Sequence, residues 1–377
     1  MLKNFMRSFK MRRKVILVAL LLLFIMLFGR LIVEAAKWSP IFFQYFFQKE
    51  IVLKKTENRV NVLFLGIGGG EHDGPLLTDT IIYASIDPKL QKTTLISIPR
   101  DLWVPDLKAK INTAYAFGED KEKDGGLLLV KAAVEKILNQ PIDYVLRIDF
   151  SGFIKAIDLI GGIDVQVENS FDDFEYPISG KENDTCGFTG SEFEERATSS
   201  ATLEAFPCRY EHISFKKGTE HMDGVIALKF VRSRHATGTE GSDFARGKRQ
   251  ELVIRAFKNK LFSLNTLLNP GKLLSLYDVF QDSIHANIQQ DEYDDFIKLA
   301  LKMKETEINS VIFSYSNYFS EKQEIFINPL TSQIYDNQWV LIPRVGNGDF
   351  SEVQKYTACE IKIGNCPISG IPITTTK

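Results

Sequence analysis

From Val60 onward, short apolar runs alternate with longer stretches of helical spacing. The runs "VNVLFLG" (60–66), "TIIYASI" (80–86) and "TTLISIP" (93–99) are β-branched and of strand length, which predicts three strands. "GLLLVKAAVEKIL" (126–138) carries its apolar residues at helical spacing. "YVLRIDF" (144–150) predicts a further strand, then a helix over "SGFIKAIDLI" that stops at Gly161 and Gly162, then "IDVQV". Strands alternating with helices predict an α/β fold: an α-β-α sandwich around a central mixed sheet.

The pattern breaks over residues 171–211. Ten acids stand there against three bases, with Cys186 and Cys208 and no periodicity, so this reads as an acidic, inserted surface loop. Helical character returns at "MDGVIALKFV" and again in a long helix to about Phe262. Residues 291–304 read as helix, while "VIFSYSNYF", "QWVLIPRV" and "EIKIG" look β-like. The expected organisation is a main domain over 60–290 and a small C-terminal extension over 291–377.

Ahead of Val60 the text has another character. Residues 1–14 hold six bases and no acid, and Val15–Val33 is almost wholly apolar. As a helix that run rises about 28 Å, close to the hydrocarbon thickness of a bilayer. The expectation is a cytoplasmic basic tail (1–14), a transmembrane helix (15–33) and the rest of the chain outside, by the positive-inside rule. A cleaved signal peptide is the alternative, since small residues follow the apolar run in "VEAAK". Six aromatics between Trp38 and Phe47 suit a stem (34–59) that hugs the membrane or docks on the domain.

Composition narrows the function. A formal net charge of −2 over 377 residues argues against a nucleic-acid binder. The four cysteines, Cys186, Cys208, Cys359 and Cys366, all lie in the exported part and form no CxxC. Local pairing, Cys186–Cys208 and Cys359–Cys366, is favoured because each couple lies in one loop-rich segment, although three connectivities satisfy the count. The five histidines show no metal spacing, and no GxSxG marks a hydrolase nucleophile.

Against that balanced background, "FVRSRHATGTEGSDFARGKRQ" (230–250) carries Arg232, Arg234, Arg246, Lys248 and Arg249 against Glu240 and Asp243. With Asp243 as helix cap, a step of ~100° per residue puts Arg246 and Gln250 in line with Val253 and Phe257 on the apolar stripe. Lys248, Glu251, Arg255 and Lys258 take the opposite, solvated side. A guanidinium on an inward face needs an anionic partner. Arg232 and Arg234 project together if their stretch is extended. Arginines converging without matching acids point to a polyanion, and planar bidentate donors suit phosphate oxygens.

Two more stretches can complete such a site. "SIPRD" places Arg100 and Asp101 just past a strand, where α/β crevices form. "LGIGGGEHDGPLLTDTI" is a glycine-rich loop leading to Asp79, without the GK[ST] of a nucleotide-binding loop. Asp79 beside arginines makes sense if a divalent cation bridges carboxylate and phosphate. Pairing or capping is its structural alternative.

Together, "NVLFLG…LTDTI", "ISIPRDLWV", "KINTAYAFG", "IDYVLRIDFSGFIKAIDLIGGIDVQV", "MDGVIALKFVRSRH" and "DFARGKRQ" resemble the LytR-CpsA-Psr family over about residues 58–262. The resemblance implies a membrane-anchored extracytoplasmic phosphotransferase. Such enzymes move a glycopolymer from a polyprenyl-pyrophosphate carrier to a peptidoglycan hydroxyl. It implies an apolar tunnel for the lipid. Catalytic roles fall to Asp79, Arg100, Arg232, Arg234 and Arg246, and substrate binding to Lys110, Asp101, Arg249 and Gln250. Asp79 would ligate Mg2+ or another divalent cation, or help activate the acceptor hydroxyl. This sequence departs from the family at LGxDxR, where Gly68 and Gly70 replace the second acid and the arginine, and Glu71, His72 or Asp73 could take over. A non-catalytic binder or regulator holding the same lipid or an anionic polymer is the alternative function.

Overall fold

A computed structural model of the chain describes residues 51–70, 74–198, 202–267, 269–317 and 324–367. The basic tail, the span over 15–33, the stem up to residue 50, and Glu71, His72 and Asp73 lie outside the described residues. Among the described residues no helix is long and apolar enough to cross a membrane. The chain divides into two units, the smaller combining 1–53 with 291–299. In that unit the Asp295 carboxylate accepts from the Val52 amide at 3.2 Å and pairs with Lys298 at 2.9 Å.

The larger unit is built as the alternation predicts. Strands β1 (Val60–Ile67), β2 (Thr78–Asp87) and β3 (Lys92–Ser97) form an antiparallel meander. The short β4 (Trp103–Val104) and β5 (Ala109–Lys110) pair in a tight ribbon after it. Helices α1 (Ala114–Lys121) and α2 (Gly125–Leu138) lead to β6 (Tyr144–Asp149), which lies parallel to β1. Helix α3 (Phe150–Leu159) is capped by Asp149, whose side chain accepts from the Gly152 amide at 2.8 Å. Its end is set by Gly161 and Gly162, both at positive φ (84° and 75°).

Then come β7 (Ile163–Val167), β8 (Phe171–Pro177), α4 (Gly190–Ala197), β9 (Tyr210–Phe215), β10 (Gly218–Met222), α5 (Gly224–Arg232) and the long α6 (Asp243–Leu261). Helix α7 (Pro270–Ser283) precedes β11 (Ile284–Ala286), and α8 spans Tyr293–Lys302. Strands β12 (Glu307–Ile312), β13 (Tyr315–Asn317), β14 (Phe326–Asn328) and β15 (Ile342–Pro343) precede α9 (Ser351–Lys362).

Among the described residues six strands form one mixed sheet in the order β11-β6-β1-β2-β3-β12. Two sequence expectations change here. Strand β12, assigned to a C-terminal extension, is part of the central sheet and runs parallel to β3. "EIKIG", read as β-like, lies mostly in α9, whose Val353 joins the core beneath the sheet. An amphipathic helix and a short alternating strand are hard to separate over five residues.

The two faces of the sheet are treated differently. On one, Leu63, Leu65, Ile81, Tyr83 and Ile96 pack with Val130, Val134 and Ile137 of α2 into a continuous core. On the other, α3, α5, α6 and β7 build a separate apolar cluster that contains no residue of β1, β2, β3 or β6. Phe64, on the central strand, is 40% exposed although its cross-strand partners Ile82 and Leu146 are buried.

Both disulfides favoured from the sequence form, Cys186–Cys208 and Cys359–Cys366. The acidic segment is more ordered than expected. Strands β8 and β9 make an antiparallel ribbon whose base buries Phe171, Asp173 and Tyr176. Their inward positions are interrupted by a register shift between Asp173 and Tyr176, which hides the period of two.

Candidate functional site

The site forms at the end of the β1–β2 meander, where the pairing slips. Cα partners pass from Gly66 with Thr80 to Ile67 with Thr78, leaving Asp79 as the extra residue of a bulge. A bulge re-aims the side chain it carries. The Asp79 carboxylate meets the Arg100 guanidinium in a close ion pair. Across this end of the sheet the glycine-rich loop presses on β6. A Cβ on Gly69, at φ +66°, would stand 2.8 Å from the Cβ of Asp149. The glycine there serves a left-handed turn and a close approach.

Behind Arg100 stands Asp101, 3% exposed, reached by the Arg100 Nε at 3.4 Å and by Lys110 Nζ at 2.8 Å. Burial alone would push the Asp101 carboxyl up, but Arg100, Lys110 and Arg234 together hold it below the ordinary carboxylate range. Asp101 and Lys110, expected as substrate contacts, thus steady Arg100 from its buried side. Burial also works against the charge on Arg100, and Asp79 and Asp101 reverse that and raise it above the ordinary value.

Helix α6 contributes the opposite wall. Ser242, rather than Asp243, is its cap, accepting from the Ala245 amide at 3.2 Å. Asp243 instead pairs with Arg246 at 2.9 Å, one turn on. Arg246 is 8% exposed, on the inward stripe with Val253 as the spacing predicts. Burial lowers its pKa, Asp243 and Asp79 oppose that, and the positive charges of Arg234 and Arg100 add to the lowering. Gln250 donates to Thr80 Oγ1 at 3.0 Å, tying the helix to β2. Asp79, Thr80, Asp243, Arg246, Gln250 and Tyr315 line one small cleft. Gly247 lets α6 lie close to β12, since a Cβ would sit 2.8 Å from Ile312.

The face expected to be solvated is partly covered. Glu251 is 6% exposed and holds both Lys248 and Arg255, while Arg255 and Lys258 donate to the carbonyls of Ile308 and Thr306. Periodicity could not foresee that β12 flanks this helix.

The remaining arginines divide. Arg234 is exposed, and among the described residues its guanidinium has no carboxylate within salt-bridge reach, although it acts electrostatically on Asp101 and Arg246. Arg232 lies 4.3 Å over the Phe150 ring and 3.4 Å from the Tyr176 hydroxyl. Arg249 does not join the cluster. Its guanidinium donates to the carbonyls of Phe230, Glu240 and Ser233 at 2.6–2.8 Å, pairs with Glu240 at 3.1 Å and lies 4.9 Å over Phe171. Arg249, expected to bind substrate, is 2% exposed and braces Ser233, between Arg232 at the end of α5 and Arg234.

Sequence reading missed Asp243 as the partner of Arg246, and missed Asp173, Tyr176 and Tyr315. Only Asp243 left a signal, at i−3 from Arg246 on one helix face.

Comparison with known proteins follows the same outline. A family model described as the LytR_cpsA_psr family matches residues 42–338. The Bacillus cereus protein named polyisoprenyl-teichoic acid–peptidoglycan teichoic acid transferase TagU is 28% identical over 255 residues, 66% of this chain and 67% of that one. A protein of the same name from Oceanobacillus iheyensis is 30% identical over 250 residues, 65% of this chain and 64% of that one. The crystal structure of Bacillus subtilis TagV superposes with a TM-score of 0.51 at 23% identity, covering 81% of this chain and 98% of that one.

Proposed function

The chain belongs to the LytR-CpsA-Psr family, and from that premise we propose that it is a membrane-anchored, extracytoplasmic phosphotransferase. It transfers a glycopolymer from a polyprenyl-pyrophosphate carrier to a peptidoglycan hydroxyl. Similarity to proteins named teichoic acid transferases supports the reaction class. The observation that carries the reading is Arg246. It is a buried guanidinium that pairs with Asp243, feels Asp79, and lies in the repulsive field of Arg100 and Arg234. Such a group is a costly choice for a structural role and a good one for a ligand with two adjacent phosphates.

The roles follow from position. Arg100, Arg234 and Arg246 grip the pyrophosphate and offset the charge that builds on its oxygens during transfer. Arg232, beside Arg234 and set on Phe150, flanks them. Gln250 orients the same wall. The exposed Phe64 ring meets the lipid tail. The acceptor hydroxyl gives its proton to Asp79, its oxygen attacks the phosphorus bearing the glycopolymer, the anhydride bond breaks, and polyprenyl phosphate leaves. Mg2+ belongs to this proposal: Asp79 and Asp243, which line one cleft and offer hard oxygen donors, would hold it, each shared with its arginine partner. When bound, such a cation supplies Lewis-acid neutralisation of phosphate oxygens. Asp79 must share itself between that role and Arg100.

The test is transfer to radiolabelled wall alongside calorimetric lipid binding. Asp79→Ala should lower transfer on the order of 10²–10³-fold while binding largely survives. Unchanged transfer would remove Asp79 from the reaction. Gly68 in place of the family's acid favours one other reading, a non-catalytic lipid binder. Lipid binding without transfer by the unaltered protein would select it.

A further inference from the structure

Arg232 closes α5 and Arg234 lies on the loop that follows it to residue 237, and this loop is held from two sides. From α6, Arg249 donates to the Ser233 carbonyl at 2.6 Å. From the disulfide-closed ribbon, Asp173 reaches the same loop. One oxygen of its carboxylate accepts from Ser233 Oγ at 2.6 Å and from the amides of Arg234 and His235 at 3.2 Å each. The other oxygen accepts from the Glu175 amide at 3.0 Å. Asp173 is 0% exposed. Ala236 pairs with it as in a β-bridge, and the Thr237 amide donates to the Asp172 carbonyl at 2.8 Å.

We propose that Asp173 is a positioning residue for pyrophosphate recognition, and that the β8–β9 ribbon is the jig that sets Arg232 and Arg234 relative to each other. The inference rests on the reading of the arginines given above. All four donors to Asp173 are neutral, and three of them exist only when residues 233–235 adopt this one path. A buried acceptor with four donors defines a backbone trace far more sharply than apolar contact does. Two guanidiniums two residues apart can straddle adjacent phosphates only if the backbone between them is fixed. Tyr176 supports the same arrangement from the ribbon, with its hydroxyl at Arg232. The ribbon is thereby coupled to recognition, although none of its acids faces the cleft.

The experiment compares binding of a short prenyl pyrophosphate and the matching monophosphate to the full chain in detergent. Asp173→Asn keeps the shape but replaces one acceptor oxygen by a donor. It should weaken pyrophosphate binding about ten- to fiftyfold and monophosphate binding less than about threefold, so that the preference collapses. Ser233→Ala, which removes one of the four donors, should lower the preference about threefold. An unaltered preference in Asp173→Asn overturns the proposal, and so does an equal loss on both probes with the Cys186–Cys208 bridge intact. If Asp173→Asn cannot be recovered folded, an unchanged preference in Ser233→Ala overturns it. Failure of the unaltered protein to prefer pyrophosphate defeats the site reading itself, and this inference with it.

Discussion

Arg246 and Arg249 sit three residues apart on α6, both less than one-tenth exposed, and they do opposite things. Arg249 spends its donors on three carbonyls and Glu240 and stacks on Phe171. Arg246 has Asp243 and is pressed by two other guanidiniums. Burial alone does not mark a binding residue. What marks it is burial among other guanidiniums. The same contrast separates two neighbours on β1: Leu63 is sealed under α2, while Phe64, on the other face, stands 40% exposed.

The contrast breaks most visibly in paired substitutions. Arg249→Ala removes the partner of two buried carbonyls and a half-buried one and should cost about 3–5 kcal/mol of folding stability, seen as a lower denaturation midpoint. Arg246→Ala relieves repulsion, so it should leave stability within about 1 kcal/mol while weakening prenyl pyrophosphate binding about ten- to a hundredfold. Equal stability losses in the two variants would erase the distinction. A smaller effect sharpens the comparison of the faces. Leu63→Ala should cost about 2–5 kcal/mol. Phe64→Ala, already exposed, should cost less than about 1 kcal/mol yet weaken a long prenyl chain more than a short one. A loss for Phe64→Ala as large as for Leu63→Ala would mean that its ring is covered.

Much of this was legible before the fold. Alternation of β1, β2 and β3 with α2 and α3 is a local property, and the inward aim of Arg246 follows from the helical repeat. Local pairing of the cysteines was the favoured one of three connectivities, and it is the one that forms. What escaped was non-local. Nothing in "EIKIG" says that it packs under the sheet, and nothing in residues 307–312 says that they complete it beside β3. Arg249 looked like its neighbour because the carbonyls it satisfies belong to a loop whose path depends on Asp173, some sixty residues earlier. Asp79 read as a ligand or a cap; the bulge that turns it toward Arg100 depends on pairing between two strands.

The central claim is that these arginines hold the pyrophosphate of a polyprenyl carrier. The most direct measurement is mass spectrometry of the lipid that co-purifies with the detergent-extracted full chain and two variants. Polyprenyl phosphates or pyrophosphates should accompany the unaltered protein and Lys248→Ala, whose side chain turns away toward Glu251. They should be depleted about tenfold or more from Arg246→Ala. Absence of such lipid from the unaltered protein, or equal retention by Arg246→Ala and Lys248→Ala, would contradict the account.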